Sequence, residues 1–478
     1  MAGGALQAVP VIPEEITDQC RRGGSLLIGG GPGSGKTILT FSLLHALKAL
    51  GHRVLFVSTR LPTSTLLETT PLCRSLGLEH LVDASMQRAY SQEPAIASMP
   101  LAGIADLSML LQERADRDTV VALDSWDALL QREKGSRGEV YATASEMLNR
   151  TPGSLILTTE HPSDFNPLQH VVDAYLTLGV EEIEGNRLRF LRVEKMRGRI
   201  VSTSSYLFTL ADGVFKAFNP QDWWLHVKPL KASRLPEPVP DKANCFSTGV
   251  PKLDKILGGG YGQGSTVGIE VSLDAPHELF DLTFLLTAFD FLLKQRPMLI
   301  LPPEARDEES LWDTVRRIVD ENLWRSLKTD MIDNYAKVVS LGPPGAKECS
   351  VEGLGKDIET DLAIWRKARK EMKYKFAQPM LYVIGYDTLV RRYGNGPVEP
   401  LIGRHLLETR TLGDLLISIV TDDLDAKRCL LGISDYYLQL KMVKGIPLLR
   451  GIKPRTASYI VSLTNHSGFP NLDLDIIS

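Results

Sequence analysis

The sequence predicts an α/β fold laid down twice: two tandem domains, each a mostly parallel sheet flanked by helices and closed by a β-rich C-terminal tail. Three observations predict it. Short apolar runs alternate with stretches of helical spacing, the pattern of a parallel sheet with helical crossovers. The first run leads through a glycine-rich loop into a helix. The plan of the first half then recurs in the second. The chain has 478 residues, enough for two or three full cores. It is 43% hydrophobic and 23% charged, the composition of an ordinary globular protein.

Ser25–Ile28 reads as a buried strand. Gly30-Gly31-Pro32-Gly33-Ser34-Gly35-Lys36-Thr37 follows and fits G-x-x-x-x-G-K-[ST], with Ile38 just beyond it. Thr37–Leu50 then carries Leu39, Leu43, Leu44, Leu47 and Leu50 at helical spacing. Strand, loop and helix are the setting that a phosphate-binding loop requires. Glycines let the backbone turn its N–H groups inward as an anion nest. The helix N-terminus adds about half a positive charge. Lys36 can reach the β- and γ-phosphates of a nucleotide, and the Thr37 hydroxyl can ligate Mg²⁺.

Residues 1–24 are a polar lead-in with one short helix around IPEEITDQCRR. Val54–Ser58 reads as a second strand, Thr63–Leu76 as a helix after Pro62, and Leu101–Ala115 as an amphipathic helix. Val120–Leu123 is a third strand ending in Asp124. A carboxylate at a strand's C-terminal edge beside the loop fits a Mg²⁺-holding acid; the alternative is a plain helix N-cap. Gly138–Arg150 reads as a helix and Ser154–Thr159 as a fourth strand, followed by Glu160. Tyr175–Val180, Arg187–Val193 and Ser205–Leu210 form the strand-rich tail. Prolines 229, 236, 238 and 240 mark a semi-rigid linker, giving domains 1–219 and 245–478 around a linker 220–244.

The second half repeats the first. Ser265–Glu270 matches strand one, Glu278–Gln295 the helix after the loop, Met298–Leu301 strand two, Met380–Ile384 strand three and Arg428–Ile433 strand four. Leu191-Arg192-x-x-Lys195-x-Arg197 recurs as Leu449-Arg450-x-x-Lys453-x-Arg455, and Tyr206–Leu210 is echoed by Tyr459–Leu463. The loop chemistry is gone from the copy: Val271-Ser272-Leu273-Asp274-Ala275-Pro276-His277 has neither glycine nor lysine. Ile384 or Gly385 stands at the place of Asp124. No nucleotide is expected there.

Phe246-x-Thr248-Gly249-Val250-x-x-Leu253-Asp254-x-x-Leu257-Gly258-Gly259-Gly260 resembles the segment that opens a KaiC domain, and Lys195-Met196-Arg197-Gly198 resembles that family's "KMRG" segment. With the loop and Asp124, the chain resembles KaiC-like, RecA-superfamily P-loop ATPases over most of its length. That resemblance implies two tandem RecA-like domains, ATP with Mg²⁺ as ligand, and often a ring with ATP at subunit interfaces. It implies Gly30, Gly31, Pro32, Gly33, Ser34, Gly35, Lys36, Thr37 and Ile38 as the nucleotide cradle, and Thr37 and Asp124 as metal ligands. Lys36 and Asp124 would serve catalysis, with Lys195 and Arg197 reaching the γ-phosphate of a neighbouring subunit. The family's glutamate pair after the second strand is replaced by Arg60 and Leu61. Glu160 is a candidate substitute, and Glu304 of the second domain falls near the glutamate position. Without a positioned base, hydrolysis is expected to be slower by roughly two to four orders of magnitude. The Ser58-Thr59-Arg60 segment and the arginine-rich stretches resemble the gas-vesicle regulatory GvpD branch.

A net charge of −4 supplies no global field toward nucleic acid or membrane. Two local segments, Arg187–Arg199 and Arg366–Lys375, hold six cations each. They read as solvated faces, as salt-dependent nucleic-acid contacts, or as a surface for an acidic protein. Cys20, Cys73, Cys245, Cys349 and Cys429 are scattered without a C-x-x-C pair, as expected of reduced thiols in the cytoplasm. The first fifteen residues show no leader, and no run approaches 18 apolar residues, so no membrane span is expected. The leading expectation is an ATP-dependent regulatory switch with weak hydrolysis, acting through a protein partner. The alternative is a DNA-binding ATPase of the recombination and repair type. A phosphotransfer enzyme is disfavoured by the lost second loop.

Overall fold

Leu26, Leu27 and Ile28 are wholly buried, yet they face two different cores. Leu26 and Ile28 pack with Leu39, Leu43 and Leu44 of the helix Lys36–Ala49. Leu27 joins Val57, Leu123, Leu157 and Leu107 on the opposite face. Burial on both faces is why the strand reads as a continuous apolar run. Each such side chain contributes roughly 1.5–3 kcal/mol relative to exposure. The computed structural model describes residues 9–85, 97–99, 101–133, 136–160, 168–183, 185–220, 232–303, 308–339, 357–464, 469 and 471–477. The chain falls into two units, Met1–Gln221 and Asp222–Ile476.

Among the described residues the first unit has one sheet of ten strands. They are β1 (Ser25–Gly30), β2 (Arg53–Ser58), β3 (Leu81–Asp83), β4 (Ala97–Ser98), β5 (Thr119–Asp124), β6 (Ser154–Thr159), β7 (Ala174–Ile183), β8 (Asn186–Met196), β9 (Ser205–Thr209) and β10 (Lys216–Phe218). Their order is β10-β9-β8-β7-β1-β6-β5-β2-β3-β4. From β7 to β4 all pairs are parallel, while β7 to β10 form an antiparallel meander. The phosphate-loop strand β1 and the acid-bearing strand β5 flank β6, so their C-terminal ends meet at one edge.

The second unit opens on a small pair, β11 (Cys245–Phe246) with β12 (Tyr261–Gly262). Its nine-stranded sheet comprises β13 (Thr266–Val271), β14 (Met298–Leu301), β15 (Ala336–Val338), β16 (Leu381–Gly385), β17 (Leu415–Thr421), β18 (Tyr436–Val443), β19 (Ile446–Lys453), β20 (Ser458–Thr464) and β21 (Asn471–Ile476). The order β15-β14-β16-β17-β13-β18-β19-β20-β21 reproduces the first sheet, β4 excepted. Both units are therefore RecA-like α/β folds with β-rich tails, as the sequence led us to expect. Details repeat as well. The hairpins β7–β8 and β18–β19 each carry a register shift at the same point, Tyr175/Leu176 and Tyr437/Leu438. Asp173 accepts from the N–H and hydroxyl of Ser25 at the start of β1, and Asp435 does the same for Thr266 at the start of β13.

Three expectations need correction. Arg428–Ile433 is not strand four but part of the helix Ala426–Ile433, whose buried residues Ala426 and Leu430 lie one turn apart; the counterpart of β6 is β17, a fully buried apolar run. The helix expected over Thr63–Leu76 is two, Thr63–Thr69 and Pro71–Leu76, because Thr70 precedes proline and is extended (φ −123°, ψ 103°). The described part of the expected linker is no free spacer. Ala232 bonds to Ile318, Val239 N–H donates to Asp290, and Asp241 takes Lys294 and Arg296, all within the second unit. Residues 221–231, with Pro229, lie outside the described residues, as do Cys349 and Glu304.

The opening segment of the second unit is explained by one carboxylate. Asp254 accepts from Ser247 Oγ (2.6 Å), Thr248 N–H (2.7 Å) and Thr248 Oγ1 (2.7 Å), pinning the turn before its own helix. A Cβ at Gly260 would lie 2.2 Å from the Phe246 carbonyl oxygen, so the backbones meet there only through glycine.

Candidate nucleotide site

β1 ends in the glycine-rich loop, and the helix Lys36–Ala49 starts on its far side. Two of the glycines are sterically required. A Cβ at Gly30 would lie 2.6 Å from Ser34 Oγ and 2.8 Å from the Leu178 carbonyl; Gly35 sits at φ +106°, with Leu210 Cδ1 2.9 Å from a Cβ there. The loop encloses a cleft of about 420 Å³ lined by Pro32, Gly33, Gly35, Lys36, Thr37 and Ile38, by Ser58, Arg60, Leu61 and Leu66, and by Asp124, Ser125, Glu160 and Leu210.

Lys36 Nζ donates to the carbonyls of Gly30 (2.6 Å) and Gly31 (3.1 Å). Burial depresses its pKa; Asp124 and Asp127 oppose that, and the Arg60 charge adds to it. Thr37 Oγ1 donates to Asp124 Oδ2 at 2.8 Å, and Thr158 Oγ1 to Asp124 Oδ1 at 2.5 Å. Asp124 is therefore not the cap of the following helix: its carboxylate faces the loop threonine. The neighbouring acid, Asp127, fixes the end of β6, accepting from Thr159 Oγ1 (2.9 Å) and the Glu160 N–H (2.6 Å).

The cleft fits a nucleoside triphosphate with Mg²⁺. The Ser34 hydroxyl is buried within the loop and has no hydrogen-bond partner among the described residues. Thr37 and Asp124 already adjoin, a pair that would hold Mg²⁺ through one hydroxyl and one carboxylate. Among the described residues no group of three or more His, Cys, Asp or Glu side chains could hold a metal alone. A cation here would thus complete its shell with phosphate oxygens and water.

Of the sequence-predicted site residues, the structure gathers Pro32, Gly33, Gly35, Lys36, Thr37, Ile38, Asp124 and Glu160 around the cleft, with Gly30, Gly31 and Ser34 in the same loop. Glu160 does not stand alone: Arg60 Nη1 donates to Glu160 Oε1. Lys195 and Arg197 do not line the cleft. Lys195 Nζ donates to the carbonyls of Gln169 (2.9 Å) and His170 (3.0 Å), and Arg197 to Val171 (3.1 Å) and His170 (2.8 Å). These are the last carbonyls of the short helix Leu168–Val171. Lys453 makes the same bonds in the second unit, to Leu431 and to Gly432 (3.1 Å), beneath the helix Ala426–Ile433. Sequence reasoning missed Arg189 as a loop residue: from β8 its Nη1 donates to the Gly33 carbonyl at 2.9 Å. The alternation of arginines along β8 was the available signal.

The other cations of the two basic segments are also largely engaged within the chain. Arg192 pairs with Glu181, Arg199 with Asp18, Arg369 with Glu408 and Lys373 with Asp414. Lys367 and Lys370 are exposed on the helix Ile358–Lys375.

The second unit closes the equivalent place. Ser25 pairs with Leu155 and Thr266 with Leu416, so Thr158 and Ile419 are equivalent three residues on. Ile419 pairs with Gly385, while Asp124 adjoins Thr158; Gly385, not Ile384, is the counterpart of Asp124. A Cβ at Gly385 would lie 2.4 Å from Pro303 Cα, which leaves no room for an acid. At the lost loop, Ser272 Oγ (3.1 Å) and the Leu273 N–H (3.2 Å) donate to the Asp422 carboxylate. A carboxylate of the chain takes the donors a phosphate would need.

Residues 9–221 match the family model "ATPase: KaiC". The N-terminal unit is thus similar to the KaiC-like ATPases over nearly its whole length. Over the wider chain the similarity runs to Protein GvpD1 of Halobacterium salinarum, 22% identical across 95% of this chain and 94% of that protein. Protein GvpD2 of the same organism is 28% identical over 59% of each. The circadian clock oscillator protein KaiC of Picosynechococcus is 26% identical over 55% of this chain and 53% of its own length. No helix among the described residues is long and apolar enough to cross a membrane.

Proposed function

We propose that this chain is an ATP-binding regulatory switch: the N-terminal unit holds ATP with Mg²⁺ and turns it over slowly, and the C-terminal unit is a scaffold that binds no nucleotide. Lys36 and the loop N–H groups hold the phosphates, Thr37 and Asp124 hold Mg²⁺, and Ile38, Leu66 and Leu210 give the cleft an apolar wall. The metal supplies charge neutralisation on the phosphoryl oxygens. The observation that carries the reading is Arg60, paired with Glu160 at the cleft and standing at the position where the family has a glutamate. With Arg60 and Leu61 on the turn after β2, no carboxylate stands there to orient water, so the site retains nucleotide better than it consumes it. The likeness to GvpD1 across nearly the whole chain, and to GvpD2 over 59% of it, supports a regulatory role, gas-vesicle or transcriptional, exerted on a protein partner in the cytoplasm by a self-associating chain. Little in the two basic segments favours DNA, since most of their cations bond to the protein itself.

Equilibrium binding of MgATP to the full chain tests this, beside Lys36→Ala and Asp124→Asn. Wild type is expected to bind, Lys36→Ala to lose binding by 100-fold or more, and Asp124→Asn to lose the Mg²⁺ dependence. Tight binding by Lys36→Ala, or no binding by wild type, would overturn it.

A further inference from the structure

The Arg60–Glu160 pair lines the same cleft as the loop that carries Lys36. Arg60 is more than half exposed and Glu160 partly so, which makes the bond one that solvent and ions can contest. The two residues are anchored differently. Glu160 is held by its backbone, whose N–H donates to Asp127 at the end of β6. Arg60 is on the turn between β2 and the helix Thr63–Thr69, a turn tied by Ser58 Oγ donating to the Leu61 carbonyl at 2.5 Å and by Thr59 Oγ1 donating to the Ser125 carbonyl at 2.7 Å. The stem is fixed and the long guanidinium arm is free to choose between acceptors within reach. Its charge is already felt at Lys36, whose ammonium it helps to depress. Two cations thus line one cleft, and Arg60, the more exposed of them, is paired with a partly buried carboxylate.

We propose that Arg60 is a γ-phosphate sensor that exchanges Glu160 for the terminal phosphate when a nucleoside triphosphate enters. This inference rests on the nucleotide reading above and names what that site distinguishes: triphosphate from diphosphate. Only a triphosphate adds a terminal phosphoryl group whose charge Lys36 and the loop do not neutralise alone. A guanidinium prefers the more highly charged phosphoryl oxygens over a single carboxylate, and it can take them with two donors. The exchange has two consequences. It moves the β2 turn's cation inward, giving the triphosphate state a surface distinct from the diphosphate state. It also frees the Glu160 carboxylate at the cleft edge only while the triphosphate is bound.

The test is a set of dissociation constants for a non-hydrolysable ATP analogue and for ADP, each with Mg²⁺, on the full chain and on Arg60→Gln, Glu160→Gln and Arg60→Lys. Arg60→Gln is expected to weaken the triphosphate analogue by about tenfold or more, the loss of a charge-assisted contact, and ADP by less than twofold. Glu160→Gln removes the competitor, so the analogue is expected to bind several-fold tighter with ADP unchanged. Arg60→Lys keeps the charge without the fork and is expected to fall between wild type and Arg60→Gln. Equal weakening of both nucleotides by Arg60→Gln, or a weaker analogue in Glu160→Gln, would overturn the exchange while leaving nucleotide binding intact. Failure of wild type to bind either nucleotide would instead remove the reading on which it rests.

Discussion

At the scale of single residues, one unit keeps the cleft open and the other shuts it with a few substitutions. Asp124 has the Thr37 and Thr158 hydroxyls on its carboxylate, whereas Gly385 has the Pro302–Pro303 backbone against its Cα. The second site therefore cannot be revived by returning its acid. Gly385→Asp is expected to cost about 3 kcal/mol from forced overpacking and to restore no second nucleotide; a chemical denaturation midpoint and a binding titration check the two parts. A Gly385→Asp chain of wild-type stability would show that the backbone contact yields easily. The residues of the first site were legible wherever they are consecutive. Gly30 to Thr37 form one loop, so their spacing alone carried the geometry. The Arg60–Glu160 pair was not legible as a pair, because it joins positions 100 apart whose adjacency depends on the order of β2, β5 and β6. Arg189 escaped for the same reason: its contact with Gly33 crosses from one strand to a distant loop.

At the scale of elements, the short helices before β7 and β18 are tied down alike. Lys195 and Lys453 sit near the ends of β8 and β19 and donate to the last carbonyls of those helices, where a cation also complements the helix dipole. That the bond persists where no phosphate loop survives makes it a feature of the fold. Lys195→Met and Lys453→Met are each expected to lower stability by about 1 kcal/mol, and Lys195→Met to leave MgATP affinity within twofold. Thermal melts and binding isotherms check this, and a Lys195→Met chain of normal stability that no longer binds or turns over ATP would place Lys195 on a neighbour's phosphate instead. Elements with strong local patterns, such as the runs that became β1, β6 and β13, were readable because both faces are buried. Arg428–Ile433 was misread as a strand because Cys429, Leu430, Leu431 and Ile433 make a compact apolar run, while the true strand, Leu415–Thr421, sits just upstream with no polar alternation to mark it. The break at Thr70 follows from Pro71 and was visible in principle.

At the scale of the whole molecule, the tandem copies explain how a single nucleotide can matter to a long chain. Both units keep the same strand order, the same aspartate at the start of the central strand and the same hairpin irregularity. Only the N-terminal one keeps a loop open to phosphate. A chain so divided has one input and a second body of like architecture, which suits a switch more than a machine that fires both halves. The most direct measurement is the stoichiometry of MgATP on the purified full chain, by calorimetry or native mass. One nucleotide per chain, lost in Lys36→Ala, is the expected result. Two per chain, or one that survives Lys36→Ala, would contradict it.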